Sequence, residues 1–478
     1  MPDPVIILGA GPAGLACAYQ ILEQSPGRRV VILDKAPFVG GAGGSFQWKG
    51  HTLDFGPHAF HTRGDAPERM VRGLFADQPD LLIQGRKQVH VYLRGKRLKY
   101  PLQISETVLK FNPLLSLLIV IEFLLTSIFH ALVSIPIENF EAWGKKRFGP
   151  TLYKMSFGDY TEKVWKTKAA KISEKFASEK IQGFSFINLI RRLLRIGGQV
   201  TEPYFQTWIY HKYGSGRLYA RLAEEIRASG GEILLGTGVR SINHGERRVL
   251  SLLLEPGIPC PELPCGWLVN TVPLPAFVKL FGGQVPFVVR HAASKLRYIS
   301  LILVYIEFAL DRVSDDHWFY LLDPKFRFNR VTEQKNLSAF TMEPGKTVLS
   351  LELTCRVGDE QWRMSDAELF ELAKQDCRNI HYVRDKMIHI TDYHVKRVPN
   401  VYEIYFKGFD QHAESLLDYL SGFENVSTIG RRGLFLQGDQ HQSVEMGFQM
   451  AGLLANGCPD GQALDAFLRK YAKYIDDY

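Results

Sequence analysis

The chain opens on a short apolar run, Val5-Ile6-Ile7-Leu8, that leads without a break into Gly9-Ala10-Gly11-Pro12-Ala13-Gly14. A short, wholly apolar run of this kind suits a buried parallel strand. Each glycine that follows has a separate task. Gly9 permits the tight turn, Gly11 lets a pyrophosphate approach the backbone without meeting a Cβ, and Gly14 lets the next helix lie close on the strand. The phosphates then rest on the unpaired N–H groups at the helix start, around Pro12 and Ala13. Leu15 to Leu22 continues the helix, Pro26-Gly27 turns the chain, and a second apolar run, Val30 to Leu33, ends at Asp34-Lys35. Asp34 stands twenty residues after Gly14, where a carboxylate accepts hydrogen bonds from ribose hydroxyls. Strand, glycine turn, helix, strand and acid together predict an α/β chain built on a Rossmann-like dinucleotide site.

Nicotinamide and flavin dinucleotides share this fingerprint, and the next stretch bears on the choice. In Pro37-Phe38-Val39-Gly40-Gly41-Ala42-Gly43-Gly44-Ser45, four glycines fall within five positions. Gly41, Gly44 and Ser45 thus belong to a backbone-rich loop that can pass over a pyrophosphate or beneath a flat ring system.

The excess of 58 Lys and Arg over 50 Asp and Glu, a formal charge of +8, is mild for 478 residues and favours anionic partners without selecting one. Arg28-Arg29, Lys145-Lys146-Arg147 and Arg191-Arg192 are short and scattered, so no nucleic-acid partner is expected. The six cysteines form no Cys-x-x-Cys pair and have no histidines at ligand spacing, which predicts buried thiols, no metal and a reducing, cytoplasmic compartment. The start at Met1 lacks the cationic region of a signal peptide. Nothing matches a nucleophile elbow, a zinc helix or a Walker loop.

After residue 60 the pattern predicts longer helices with charged faces up to about residue 205. Alternation then returns, with a helix over Leu218 to Arg227, strands at Glu232 to Leu235, Trp267 to Thr271 and Ile299 to Phe308, and a helix from Ser443 to Leu454 closed by Asn456-Gly457. This reads as a dinucleotide domain from residues 1–75, 206–290 and 400–478, interrupted by a substrate domain from 76–205 and 291–399. Within the latter, Leu114 to Ile135 carries one formal charge, Glu122, between Pro113 and Pro136. The length suffices for a membrane span. A central glutamate opposes one, and a single crossing would separate the two ends of the dinucleotide site. A buried helix pair is the first reading, with a helix lying on the inner face of a membrane close behind it.

These residues carry a resemblance. Gly9 to Gly14, Asp34 and the Gly40-Gly41 loop resemble the N-terminal signature of the FAD-dependent amine oxidase, protoporphyrinogen oxidase and phytoene desaturase superfamily. Leu53 to Thr62, with Gly56-Pro57-His58, is similar to a segment of the branch containing UDP-galactopyranose mutase. So are Lys99-Tyr100-Pro101-Leu102, Arg147-Phe148-Gly149, Tyr160 to Trp165, His211 to Gly216 and Gly430-Arg431-Arg432-Gly433.

The resemblance implies a discontinuous FAD-binding domain with an inserted α+β substrate domain. It places Val239 on a strand whose backbone meets the adenine, and Gly430, Arg431, Gly438, Asp439, Ser443 and Val444 where the C-terminal part closes on the cofactor. His58 becomes a polar group near the ring. The first chemistry implied is hydride transfer from a small-molecule substrate to flavin N5. The alternative is a non-redox isomerase of nucleotide sugars, with Arg327 and Arg330 holding the diphosphate and Tyr402 and Tyr405 beside them. Anionic and lipid-linked substrates are both admitted, and the oligomeric state is open. Two departures bear on the isomerase reading: Pro57 stands where the branch has a glycine, and Gly438 to Ser443 differs from the Asp-His-Ser expected there.

Overall fold

Val5–Leu8 and Val30–Asp34 pair in parallel, Val5 opposite Val30 and Leu8 opposite Leu33. Every residue of the first strand is buried, as an unbroken apolar run on a strand covered on both faces requires. The computed structural model describes residues 4–62, 64–100, 110–133, 136–176, 207–257, 261–455 and 467. Glu232–Leu235 adds beyond Val30–Asp34, Trp267–Asn270 adds on the other side of Val5–Leu8, and Val426–Thr428 completes five parallel strands. The sheet therefore draws on three stretches far apart in sequence. Helix Pro12–Gln24 crosses the helix Gln440–Ala455 so closely that a Cβ on Gly447 would meet the Ala13 carbonyl at 2.5 Å. Gly447 is what lets the two ends of the chain touch. Asn456 and Gly457, expected to end this helix, lie outside the described residues.

A second sheet of seven strands lies in the other half of the molecule. Its centre is Tyr298–Phe308 against Thr347–Cys355, both almost wholly buried, with Ile390–Glu403 on the outer side. Arg330–Glu333 and Trp318–Leu321 follow, and Val89–Leu93 and Lys96–Lys99 finish the sheet. The last two strands correct the helical expectation for residues after 60, as do Phe60–His61 and Leu82–Arg86. These runs are short and mixed in polarity, and they become strands by pairing with distant partners such as Thr207–His211.

The apolar stretch forms one helix, Pro113–Leu132, capped by the Asn112 side chain. It is not half of a buried pair. Only Ser116 and Ile119 are buried, and Leu114, Leu117, Leu125, Ile128 and Leu132 all stand more than half exposed. Cys17, Cys355 and Cys377 are buried thiols, while Cys260 and Cys458 lie outside the described residues.

Candidate functional site

The glycine turn has the geometry that its spacing predicts. Gly9 takes φ +106°, which disfavours side chains, and its N–H donates to the Leu33 carbonyl at 2.8 Å. A Cβ on Gly14 would collide with the Gly9 carbonyl oxygen. Gly11 is different: its φ of −83° suits any residue, and a Cβ there would meet nothing within 4 Å. The space in front of Gly11 is open, at the N-terminus of the helix that begins at Pro12, where unpaired N–H groups favour an anion. Gly41 faces that space, since a Cβ on it would lie 3.5 Å from the Gly11 Cα. Gly40 ties the loop down through its N–H to the Ala10 carbonyl at 2.8 Å.

Asp34 accepts from the Ala10 N–H and the Ala36 N–H, both at 2.8 Å. One lone pair remains on each carboxylate oxygen for a ribose hydroxyl. Lys35 beside it is exposed. Val239 opens its strand two residues after Thr237, whose N–H donates to the Asp34 carbonyl at 2.9 Å, so it borders the same end of the sheet.

The far side of the loop is held by a buried acid. Asp54 accepts from the Ser45 and Tyr210 hydroxyls, both at 2.6 Å, and Ser45 in turn accepts from the Gly216 N–H at 2.8 Å. Ser215 Oγ donates to the Gly43 carbonyl at 2.8 Å. Burial pushes the Asp54 carboxyl up to about 6 against the lowering effect of these hydrogen bonds. Gly44 is buried among them.

The C-terminal residues close in from the other direction. Gly430 takes φ +76°, and a Cβ there would press on Ala13 at 2.8 Å. Gly433 is buried against Asn270 and Thr428. Gly438 and Asp439 lead into the last helix, where Ser443 is half-buried and Val444 fully buried. Arg431 donates to the Val401 carbonyl at 2.8 Å, lies 4.0 Å from the Glu403 carboxylate and sits over the Tyr402 ring at 5.3 Å. Arg432 was passed over in the sequence. Burial and the charge of Arg431 disfavour its cation, while Glu403 and Asp34 favour it.

Next to this cleft lies a group of aromatic rings around Arg330. Gly56 takes φ +116° and packs on the ion pair between Arg330 and Glu352, with Pro57 and His58 following. His58 Nε2 is 3.3 Å from the Phe55 carbonyl, and the His58 carbonyl accepts from Gln440 Nε2 at 3.0 Å. Burial, with Arg330 and Arg431 adding to it, pushes the His58 imidazole down to about 4, so it is neutral at physiological pH. Neutral His58 that donates Nε2–H to Phe55 leaves Nδ1 as an acceptor. Arg330 lies over Tyr320 at 5.9 Å and hydrogen-bonds Tyr402. Tyr100 and Tyr160 flank Tyr320 at 5.1 and 6.3 Å. Lys87, over Trp318 at 6.0 Å, is pushed down to about 8 by burial, with Asp439 opposing. Glu352, Tyr320 and Lys87 gave no sign in the sequence. Tyr100 and Tyr160 stood in segments quoted for their likeness, without a role.

The structure brings His58, Arg330, Tyr402, Arg431 and Asp439 together. Arg327 is elsewhere: it is exposed, and the groups that sense its charge are Asp376 and Lys166. Tyr405 is fully buried, its ring stacked on Phe409 at 4.1 Å and its hydroxyl accepting from the Gln437 N–H at 2.7 Å.

A parallel sheet with an open glycine cradle, beside a mostly antiparallel sheet that carries aromatic rings around Arg330, defines a dinucleotide-dependent enzyme. The chain belongs to the flavin-containing amine oxidoreductase family, whose sequence profile matches residues 12–458, and its cofactor is FAD. The open side of Gly11, the closed loop from Gly40 to Ser45 and the Asp34 carboxylate fit that group. The fold is similar to a reduced UDP-galactopyranose mutase, at TM-score 0.80 and 18% identity over 98% of both chains. It is also similar to a protein of Exiguobacterium sp. 255-15 assigned as a protoporphyrinogen oxidase, at TM-score 0.72 and 17% identity over 95% of this chain and 99% of that one. A putrescine oxidase variant aligns at TM-score 0.62 and 14% identity, over 95% and 99%. No curated protein matches the chain by sequence.

Proposed function

We propose that the protein is an FAD-dependent oxidoreductase that oxidises a C–H or N–H bond of a small molecule held in the aromatic pocket. When bound, the flavin supplies the two-electron acceptor. The chain's own residues position the donor. Tyr100, Tyr160, Tyr320 and Tyr402 offer ring faces, and neutral His58 offers an acceptor for a proton or a substrate N–H.

One observation supports oxidation over the isomerisation of a nucleotide sugar. Both arginines beside His58 already face buried carboxylates, Arg330 with Glu352 and Arg431 with Glu403. A diphosphate needs uncompensated cations, and two internally neutralised pairs offer it little net charge. Arg327, which would have joined Arg330 in a clamp, faces Asp376.

The test mixes oxidised protein, under anaerobic conditions, with amine and lipophilic donors and follows the visible flavin absorbance. Bleaching, with peroxide formed on admitting air, is the expected result. Turnover of a UDP-sugar by the reduced protein alone, without net electron transfer, would overturn the reading in favour of the isomerase.

A further inference from the structure

The helix Pro113–Leu132 keeps its polar residues, together with Leu115, Ile119 and Phe123, on the inward side and presents only apolar residues outward. Its inward positions include Ser116, Glu122, Thr126, Ser127 and His130, all buried or half-buried. Its outward positions, Leu117, Leu118, Ile121, Leu124, Leu125, Ile128 and Phe129, are all apolar and exposed. Glu122, whose charge opposes a membrane crossing, is engaged on the protein side. It accepts from the Thr151 N–H at 2.7 Å and the Thr151 hydroxyl at 2.8 Å. Behind it, Gly149 lets the two backbones approach, since a Cβ there would sit 3.3 Å from the Phe123 nitrogen. The polar residues are thus taken up on the protein side, and the apolar face is what the helix presents.

From this geometry we infer that the helix lies flat in the surface of an anionic bilayer. It does not cross one, because it packs on the helices Phe140–Phe148 and Pro150–Tyr153, with Glu122 near its middle bonded to Thr151. A lipid surface matches the patch in two ways. The outward face is an apolar strip about 30 Å long, and a contiguous exposed apolar surface of this kind marks an interaction site. The supporting helix carries Lys146 and Arg147 in its last turn, next to Lys145, which pairs with Glu141; Lys110 precedes the strip, and the chain is cationic overall at +8, as attraction to anionic headgroups requires. The strip also begins at the pocket. Phe111 packs in the same apolar cluster as Tyr160 and Tyr320, so docking would set that pocket wall against the membrane.

The experiment is vesicle sedimentation of the full FAD-loaded chain. The protein should pellet with mixed phosphatidylcholine and phosphatidylserine vesicles, and more weakly with phosphatidylcholine alone. The triple variant Leu117→Glu, Ile121→Glu, Leu125→Glu changes only exposed positions. It should lose at least about tenfold in vesicle affinity while its flavin spectrum and circular dichroism stay those of the wild type. Wild-type protein that stays in the supernatant with both vesicle types overturns the inference, whether a second copy or another segment of this chain then covers the strip. A triple variant that binds like the wild type overturns it as well. Donor bleaching is read separately, so its absence counts against the proposed reaction and leaves docking to the vesicle result.

Discussion

Arg330 and Glu352 face each other in a two-pronged ion pair, Nε to Oε1 at 2.7 Å and Nη2 to Oε2 at 2.8 Å, beneath the backbone of Gly56. Glu352 is almost fully buried and Arg330 mostly so. Removing one member of such a pair leaves a stranded charge. Glu352→Gln should lower stability by about 3 kcal/mol, measured by urea denaturation of the holoprotein. It should also free Arg330 for an anion, so that UDP raises the melting temperature of the variant more than that of the wild type. Equal stabilisation of both by UDP would mean that the pair does not occupy the arginine, and the case for oxidation over isomerisation would lose its support.

The glycines make a second prediction, because two of them do different work. Gly11→Val adds atoms in open space, so the apoprotein should fold with wild-type circular dichroism and yet lose the yellow cofactor on desalting. Gly14→Val drives a side chain into the Gly9 carbonyl and should fail at folding, giving little soluble protein. A Gly11→Val protein that retains a full complement of FAD would place the pyrophosphate somewhere else.

Most of the cofactor cradle was legible in the sequence because its logic is local. Val5 to Asp34 forms strand, turn, helix and strand within thirty residues, and the contact that makes Gly14 necessary, the Gly9 carbonyl, lies five residues back in the chain. The pocket was not legible, because sheet pairing assembles it. Arg330 meets Glu352 only because their two strands run antiparallel in register, and Gly56 reaches them from nearly three hundred residues away. Arg327 looked equivalent to Arg330 at a spacing of three, yet it belongs to the loop before the strand and faces Asp376. The apolar segment shows the same limit. Mean hydropathy revealed that Pro113–Leu132 is greasy, but only the packing of Glu122 on Thr151 decides which face turns outward.

His58 gives a prediction about pH. Burial and two neighbouring arginines hold its imidazole at about 4, below its ordinary 6.5. A group whose proton affinity is lower folded than unfolded stabilises the fold above pH 6.5, and that contribution is lost as pH falls toward 4. His211 and His317, also held at about 4, act in the same sense. Asp54 and Asp376, pushed up to about 6, act oppositely, so the difference between two proteins is the informative quantity. Between pH 7 and pH 4 the wild type should lose up to about 3 kcal/mol relative to His58→Asn. Parallel stability curves for the two proteins would show that His58 is as solvated folded as unfolded.

Arg432 is the residue that the sequence reading passed over and the structure points to. Its guanidinium lies in the fields of Arg431, Glu403 and Asp34, at the end of the parallel sheet where the glycine turn opens. Burial there disfavours its charge, and a neighbouring arginine disfavours it further. An anion in the cradle would offset both. A hydrogen bond to a charged group contributes on the order of 1.5–3 kcal/mol, so Arg432→Met should weaken FAD affinity by about ten- to a hundredfold. Part of that loss should disappear at high salt, where the wild type's own electrostatic gain is screened. Titration of apoprotein with FAD at low and high ionic strength measures both effects. If the variant binds as tightly as the wild type at low salt, Arg432 is a buried structural arginine that Glu403 alone accounts for, and the cofactor's charge is met by the helix N-terminus at Pro12 without it.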